Sequence, residues 1–317
     1  MDQRKKQRGR ILNVLKVLVS VGALAWVLSK LDLGETWQVL TQMTMALFAA
    51  AMALYLGGVV VKAYRWGILV WSLGVRASFG RLVNLYFVGT FFSQVLPTGV
   101  GGDAVRMYEL ARDNPAAASI NSVLVDRFLG LFVLFGMALV PLAVDPELVS
   151  APVRVAITAV FVVSLVAVVL LLQRTWIERW GHRLRLDRLL GRIKILRELY
   201  VSIHCYSTRA LLKATGVSVV FNLMLILAYY LLGLAVGIDL QVWIYFLIVP
   251  IISALLLIPT VGGLGVREGG TVALFVQAGA TPAQAGALAA AYLAGVYLTG
   301  LIGAILYIVR SVREART

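Results

Sequence analysis

The run Leu96-Pro97-Thr98-Gly99-Val100-Gly101-Gly102-Asp103-Ala104-Val105-Arg106 cuts into an apolar segment, residues 82–102, that otherwise has membrane-crossing length. Proline lacks the N–H that a helix interior needs, and paired glycines weaken the helix around it, so the chain is expected to break here. A second run of the same design, Ile258-Pro259-Thr260-Val261-Gly262-Gly263-Leu264-Gly265-Val266-Arg267, cuts into residues 240–266. With a one-residue gap the two align as an aliphatic residue, Pro-Thr, a Gly-Gly pair and Val-Arg. Such interruptions at matching points of two halves are the sequence sign of an inverted-repeat transporter whose site lies between the breaks. Chance likeness is the alternative, since Pro and Gly are frequent in membrane helices.

The rest of the chain is written for lipid. Its 317 residues are 61% hydrophobic and 14% charged, with a mean hydropathy of +0.90. That is too apolar for a water-facing surface of ordinary charge density. The 29 Lys and Arg against 15 Asp and Glu give a formal charge of +14. In so apolar a chain this excess fits cytoplasmic loops beside anionic lipid better than nucleic-acid binding. Cys205 is the sole cysteine, which excludes an internal disulfide or a cysteine-cluster metal site. The basic start MDQRKKQRGR followed by residues 11–29 has a signal-peptide n-region without a small-residue cleavage site. It reads as a retained first span, with Lys16 snorkelling toward the headgroups.

Residues 11–29, 43–61, 82–102, 119–144, 155–173, 214–237, 240–266 and 269–309 are apolar enough to span, the last dividing at Gly279-Ala280-Thr281-Pro282. Backbone in lipid must bond to itself, and no alternating strands occur, so the expectation is an all-α polytopic membrane protein forming a single transmembrane domain, 1–317. Basic segments belong in the cytoplasm: residues 1–10, the loop with Lys62, Arg65, Arg76 and Arg81, residues 174–213, and the tail 310–317. The segments with Asp32 and Glu35, with Asp145 and Glu147, and with Asp239 belong outside. Threading under these constraints leaves residues 82–118 entering and leaving from the cytoplasm, and residues 240–281 doing so from outside. The fold expected is about six to seven spanning helices plus two oppositely oriented re-entrant hairpins in the cell inner membrane, with both termini cytoplasmic.

Within residues 174–209, Trp176, Trp180, Leu184, Leu189, Ile193, Leu196, Tyr200 and Ile203 recur at helical spacing among arginines, a basic amphipathic pattern suited to the headgroup plane. It reads equally as anionic-lipid recognition or as an ordinary positive-inside loop.

Charges near the two breaks carry the chemistry, because each costs about 3 kcal/mol at membrane depth. They are Asp103, Arg106, Asp126, Arg127, Arg267 and Glu268. Residues 103–112 read as a short helix with Asp103 at its cap, and Val266-Arg267-Glu268 stands where another helix begins. Each break, with Gly101 and Gly102 or Gly262 and Gly263, would aim backbone N–H groups and an arginine inward, an arrangement suited to phosphate. The plain alternative is that Asp103–Arg106 and Asp126–Arg127 are structural ion pairs. Asn84, Tyr86, Gln94 and Thr98 are candidates for lining a polar cavity, or for bonding the backbone alone. Enzyme signatures are weak: His182 and His204 lack close partners for a zinc site, and no Walker A loop or GxSxG elbow occurs. No cofactor or metal is expected.

Three motifs in order, residues 96–106, Asp126-Arg127-Phe128-Leu129-Gly130 and residues 259–269, resemble the lysylphosphatidylglycerol synthase transmembrane-region family, also called flippase-like. In that family the multiple peptide resistance factor joins such a region to a cytosolic aminoacyl-transferase domain, and the membrane region is held to flip the aminoacylated lipid. The 317 residues leave no room for that soluble domain, so lysyl transfer is not expected. The resemblance implies a lipid flippase with Asp103, Arg106, Asp126, Arg127, Arg267 and Glu268 at its motif positions. It also implies an anionic phospholipid or polyprenyl-phosphate lipid as substrate and a separate lipid-synthesis enzyme as partner. A lipid-linked transferase and a non-catalytic scaffold are the other readings.

Overall fold

The computed structural model describes residues 20–26, 28–29, 31–96, 101–144, 205–256 and 260–314, with scattered positions between 151 and 165. The basic N-terminus, most of the first span, the Asp145–Glu147 loop, most of 155–173, the amphipathic stretch through residue 204 with its histidines, and the last three residues lie outside them. The described residues are helical, without strand. After the helical residues 20–26 and 28–29 come α1 (Leu33–Thr41), α2 (Met45–Ser72), α3 (Phe79–Val95), α4 (Gly101–Ala111) and α5 (Ala116–Val144). Then follow α6 (Thr208–Ala235), α7 (Val242–Leu255), α8 (Val266–Gln277) and α9 (Pro282–Glu314).

Four of these, α2, α5, α6 and α9, are long and apolar enough to cross a membrane. On α9 the side chains of Leu301, Ile305, Ile308 and Val312 stand exposed at three- and four-residue spacing, a stripe that only an apolar solvent satisfies. The chain is an all-α polytopic membrane protein.

Local chemistry sets the helix ends. Asp32 caps α1, its carboxylate accepting from the N–H groups of Gly34 and Glu35. The expected division of residues 269–309 is present. α8 closes with Gly279 in the left-handed region, whose N–H donates to Val276 and is followed by Ala280 donating to Phe275. α9 then opens with Pro282 at its first position, and Thr281 and Gln284 cap each other reciprocally. One boundary differs from the expectation in a way that matters. α2 does not stop at residue 61 but runs to Ser72, because no proline follows, the lone Gly67 is tolerated within the helix, and the left-handed Gly74 comes only after its end. Lys62 and Arg65 are therefore helical, not loop residues.

Both interrupted segments fold as helix hairpins. In the first, Arg81 near the start of α3 donates to the Glu109 carbonyl and to Asp113 at the far end of α4. At the other end Gly102 sits against the Gly89 carbonyl and the Ser93 hydroxyl, leaving no space for a Cβ. In the second, the rings of Tyr245 and Phe275 meet at 5.2 Å where α7 starts and α8 ends, while Leu255 fills the space over Gly270. With 17, 11, 14 and 12 residues, these four helices are about 16 to 26 Å long, short of the roughly 30 Å of hydrocarbon.

Contacts gather the chain into two compact units, a grouping that the pattern of spans does not specify. Unit one comprises Met1–Val59, Asn84–Val105 and Leu223–Thr317; unit two comprises Val60–Val83 and Arg106–Asn222. In unit one α8 packs on α7 and α9, and α9 on α1, and Tyr229, Leu232, Ile252, Phe275 and Leu288 are among the buried residues of that unit. In unit two Leu69, Val125, Leu129, Tyr206, Leu211 and Ala214 form a buried cluster.

Candidate functional site: two buried arginine centres

In unit one the second break is a tight loop ending at the α8 N-terminus. Gly262, Gly263 and Gly265 have φ of 61°, 77° and 80°, a left-handed backbone that L side chains resist. Each glycine also admits a neighbour. A Cβ on Gly262 would lie 3.1 Å from the Gln94 carbonyl oxygen, one on Gly263 would lie 2.6 Å from Leu256, and one on Gly265 would lie 2.6 Å from the Ser20 carbonyl. Ser20 further accepts from the Val261 N–H through its hydroxyl. The last turn of α3, just before the first break, therefore touches the loop of the second. Gln94 fixes this seam, its amide donating to the Val296 carbonyl on α9 at 2.6 Å while its side chain lies over Gly300.

α8 begins with a buried ion pair. Arg267 donates through Nε and Nη2 to Glu268 Oε1 at 2.9 and 2.7 Å. Glu268 Oε2 accepts from the Gly265 N–H at 2.7 Å, the glutamate half of a capping box. The guanidinium lies 5.8 Å from the Tyr292 ring centre, and Tyr229 stacks on Tyr292 at 4.3 Å. Thr260, at the start of the loop, is 2% exposed, and its hydroxyl has no hydrogen-bond partner among the described residues.

The centre in unit two gathers three buried charges from three helices. Arg65 on α2 donates from Nε to Asp126 Oδ1 at 2.7 Å and from Nη1 to the Ser218 hydroxyl at 3.1 Å. Arg106 on α4 reaches Asp126 Oδ2 at 3.5 Å, with its guanidinium 4.9 Å from the Trp66 ring centre. Trp66 in turn donates to Ser122 on α5. Gly130 makes room for the Arg65 guanidinium, which a Cβ there would meet at 2.8 Å. Outside the span, the phenol of Tyr206 is pushed above its ordinary pKa, chiefly by burial.

The expected site residues divide accordingly. Arg267 and Glu268 come together with Gly262 and Gly263 in unit one. Gly101, Gly102 and Asp103 are buried in the first turn of α4, so Asp103 lies inside the helix rather than at its cap, because the helix starts two residues earlier. Arg106 joins Asp126 in unit two. Arg127 does not: its side chain is exposed, since successive helical positions point about 100° apart. The inward partners of Asp126 are Arg65 and Arg106. Thr98 lies outside the described residues.

Arg65 is the functional candidate that sequence reasoning missed, having counted it as a loop charge. The available signal was the apolar run Gly67-Ile68-Leu69-Val70-Trp71 after it, with no Gly-Pro break until Gly74. Tyr229, Tyr292 and Tyr55, whose ring meets that of Tyr292 edge-on at 5.3 Å, were missed as well, as aromatic residues on helices carry no mark of a neighbouring arginine.

Two helix breaks with an arginine about one turn behind each glycine pair, in hairpins of helices too short to span, are matched by a sequence profile described as Lysylphosphatidylglycerol synthase TM region over residues 13–303. The chain belongs to that family. As a member of the lysylphosphatidylglycerol synthase transmembrane-region family it is a multi-pass membrane protein, with both arginine centres inside the matched region. Over 131 residues, 41% of this chain, it is also 30% identical to the glycosyltransferase AglD of Haloferax volcanii. Those residues make up 21% of AglD, so the chain covers about a fifth of that relative's length.

Proposed function

We propose that this chain carries an anionic, phosphate-bearing lipid, either a phospholipid or a polyprenyl-phosphate-linked lipid, between the leaflets of the cell inner membrane. The observation that carries the reading is Arg267, buried directly behind a glycine break at the N-terminus of α8. A guanidinium beside a helix N-terminus is a phosphate site by charge and by donor geometry. Arg106 behind the first break is its sequence counterpart, and the contact of Gly262 with Gln94 supports reading the hairpins as halves of an inverted repeat, re-entrant from opposite faces. Asp103, Glu268 and Asp126 balance the buried arginines, and a separate lipid-synthesis enzyme supplies the substrate.

The test is transbilayer movement of labelled phosphatidylglycerol and labelled polyprenyl phosphate in liposomes holding the purified chain, with Arg106→Gln and Arg267→Gln beside it. Protein-dependent movement lost in either variant supports the reading. Absence of movement by the folded parent chain rejects it. Similarity to AglD favours a second reading, in which the chain belongs to lipid-linked glycan synthesis as a transferase or its accessory. Turnover of a lipid-linked sugar by the purified chain would support that instead.

A further inference from the structure

We propose that Glu268 is the resident anion of the Arg267 site, occupying the position that the lipid phosphate takes, and that the site is matched to a singly charged phosphodiester. The inference rests on the lipid-carrying reading above. The Glu268 carboxylate receives two kinds of donor that also suit a phosphate: the Arg267 guanidinium on one oxygen and the Gly265 N–H at the helix entrance on the other. Both side chains are buried, so exchange of one anion for another conserves the charge beside Arg267, whereas addition of a second anion does not.

Space argues the same way. The open faces of Gly262, Gly263 and Gly265 are filled by Gln94, Leu256 and the segment Ser20–Leu24, so among the described residues these glycine faces offer a phosphate no room of their own. The buried Thr260 hydroxyl, unbonded among the described residues, is a further donor in the same loop. A carboxylate offers one negative charge over two oxygens. A phosphodiester offers the same through its two non-bridging oxygens. A terminal phosphomonoester brings up to two charges. Lipids of the matching kind have two sources, glycerophospholipids and polyprenyl phosphates already capped by a sugar.

The experiment measures binding and transport of tail-labelled phosphatidylglycerol, hexose-capped polyprenyl phosphate and uncapped polyprenyl phosphate by the full chain in lipid nanodiscs and liposomes. Parent, Glu268→Gln and Arg267→Gln are compared. Glutamine keeps an acceptor for the Gly265 N–H, so the helix start is retained, and thermal unfolding verifies it. The expected result is that Glu268→Gln binds the diesters about tenfold more tightly while moving them more slowly, because the competing anion that releases them is gone. Arg267→Gln loses binding. Preference for one diester identifies the source. Unchanged or weaker diester binding by a folded Glu268→Gln chain overturns the exchange, and parent binding of the uncapped monoester as tight as of the diesters overturns the charge match. Binding of no lipid by the parent overturns the lipid reading and the exchange with it.

Discussion

Arg65 Nε lies 2.7 Å from Asp126 Oδ1, a buried bond between helices whose partners are 61 residues apart. Removing one member of such a pair strands the other charge, at a cost of about 3 to 5 kcal/mol. Asp126→Asn, which takes the shared carboxylate from both Arg65 and Arg106, is therefore expected to lower the unfolding temperature sharply, and adding Arg65→Gln to recover part of the loss. Thermal unfolding of the two single variants and the double variant in detergent measures this coupling. Strict additivity would mean that the two residues do not depend on each other.

Gly102→Ala is expected to be among the most damaging single-methyl changes. The added carbon meets the Gly89 carbonyl and the Ser93 hydroxyl, and the first of these is backbone that cannot rotate aside. Overpacking of this kind costs about 1 to 3 kcal/mol or more. The paired change Ser93→Ala relieves only the side-chain part, so partial rescue is the outcome to look for.

At Gly262 the penalty has two sources, a left-handed backbone and the approach of Gln94 at 3.1 Å. Asparagine tolerates this backbone better than alanine does. Stability is expected to fall in the order Gly, Asn, Ala, with about 1 to 2 kcal/mol between the ends from conformation alone. An order with Ala above Asn would assign the glycine to space rather than to backbone conformation.

Gln94→Met keeps the side-chain length while removing the hydrogen bond to the Val296 carbonyl. A neutral bond of this kind contributes about 0.5 to 1.5 kcal/mol, so stability should change little. Lipid movement should change more, since the amide holds the seam where the end of α3 meets the second break. Equal transport by Gln94→Met and the parent chain would show that the seam bears no part of the lipid path.

The helical membrane fold, the two breaks and the buried charges behind them were legible in the sequence because each has a local signature: apolar length, Pro with paired Gly, and charge where charge is costly. Partner choice was not. Asp126 and Arg127 are adjacent in sequence and look paired, yet the helix turns one inward and the other to the surface. Arg65 was hidden by the same rule that oriented the chain, because counting Lys and Arg as loop markers assigns a helical arginine to the loop beside it. The contact of Gln94 with Gly262 was invisible for a different reason: glycine records that something comes close but not what.

The Gln94 to Val296 bond spans 202 residues of sequence. At ordinary synthesis rates, the chain leaves the ribosome about 10 to 40 seconds apart at those two points. For that interval α3 exists without the helix to which its last turn is bonded and without the second break against which that turn rests. Any fragment of this protein that stops before α9 therefore presents to the cell's quality-control machinery an unfastened polar end, and the newborn protein itself passes through that vulnerable stage on every round of translation.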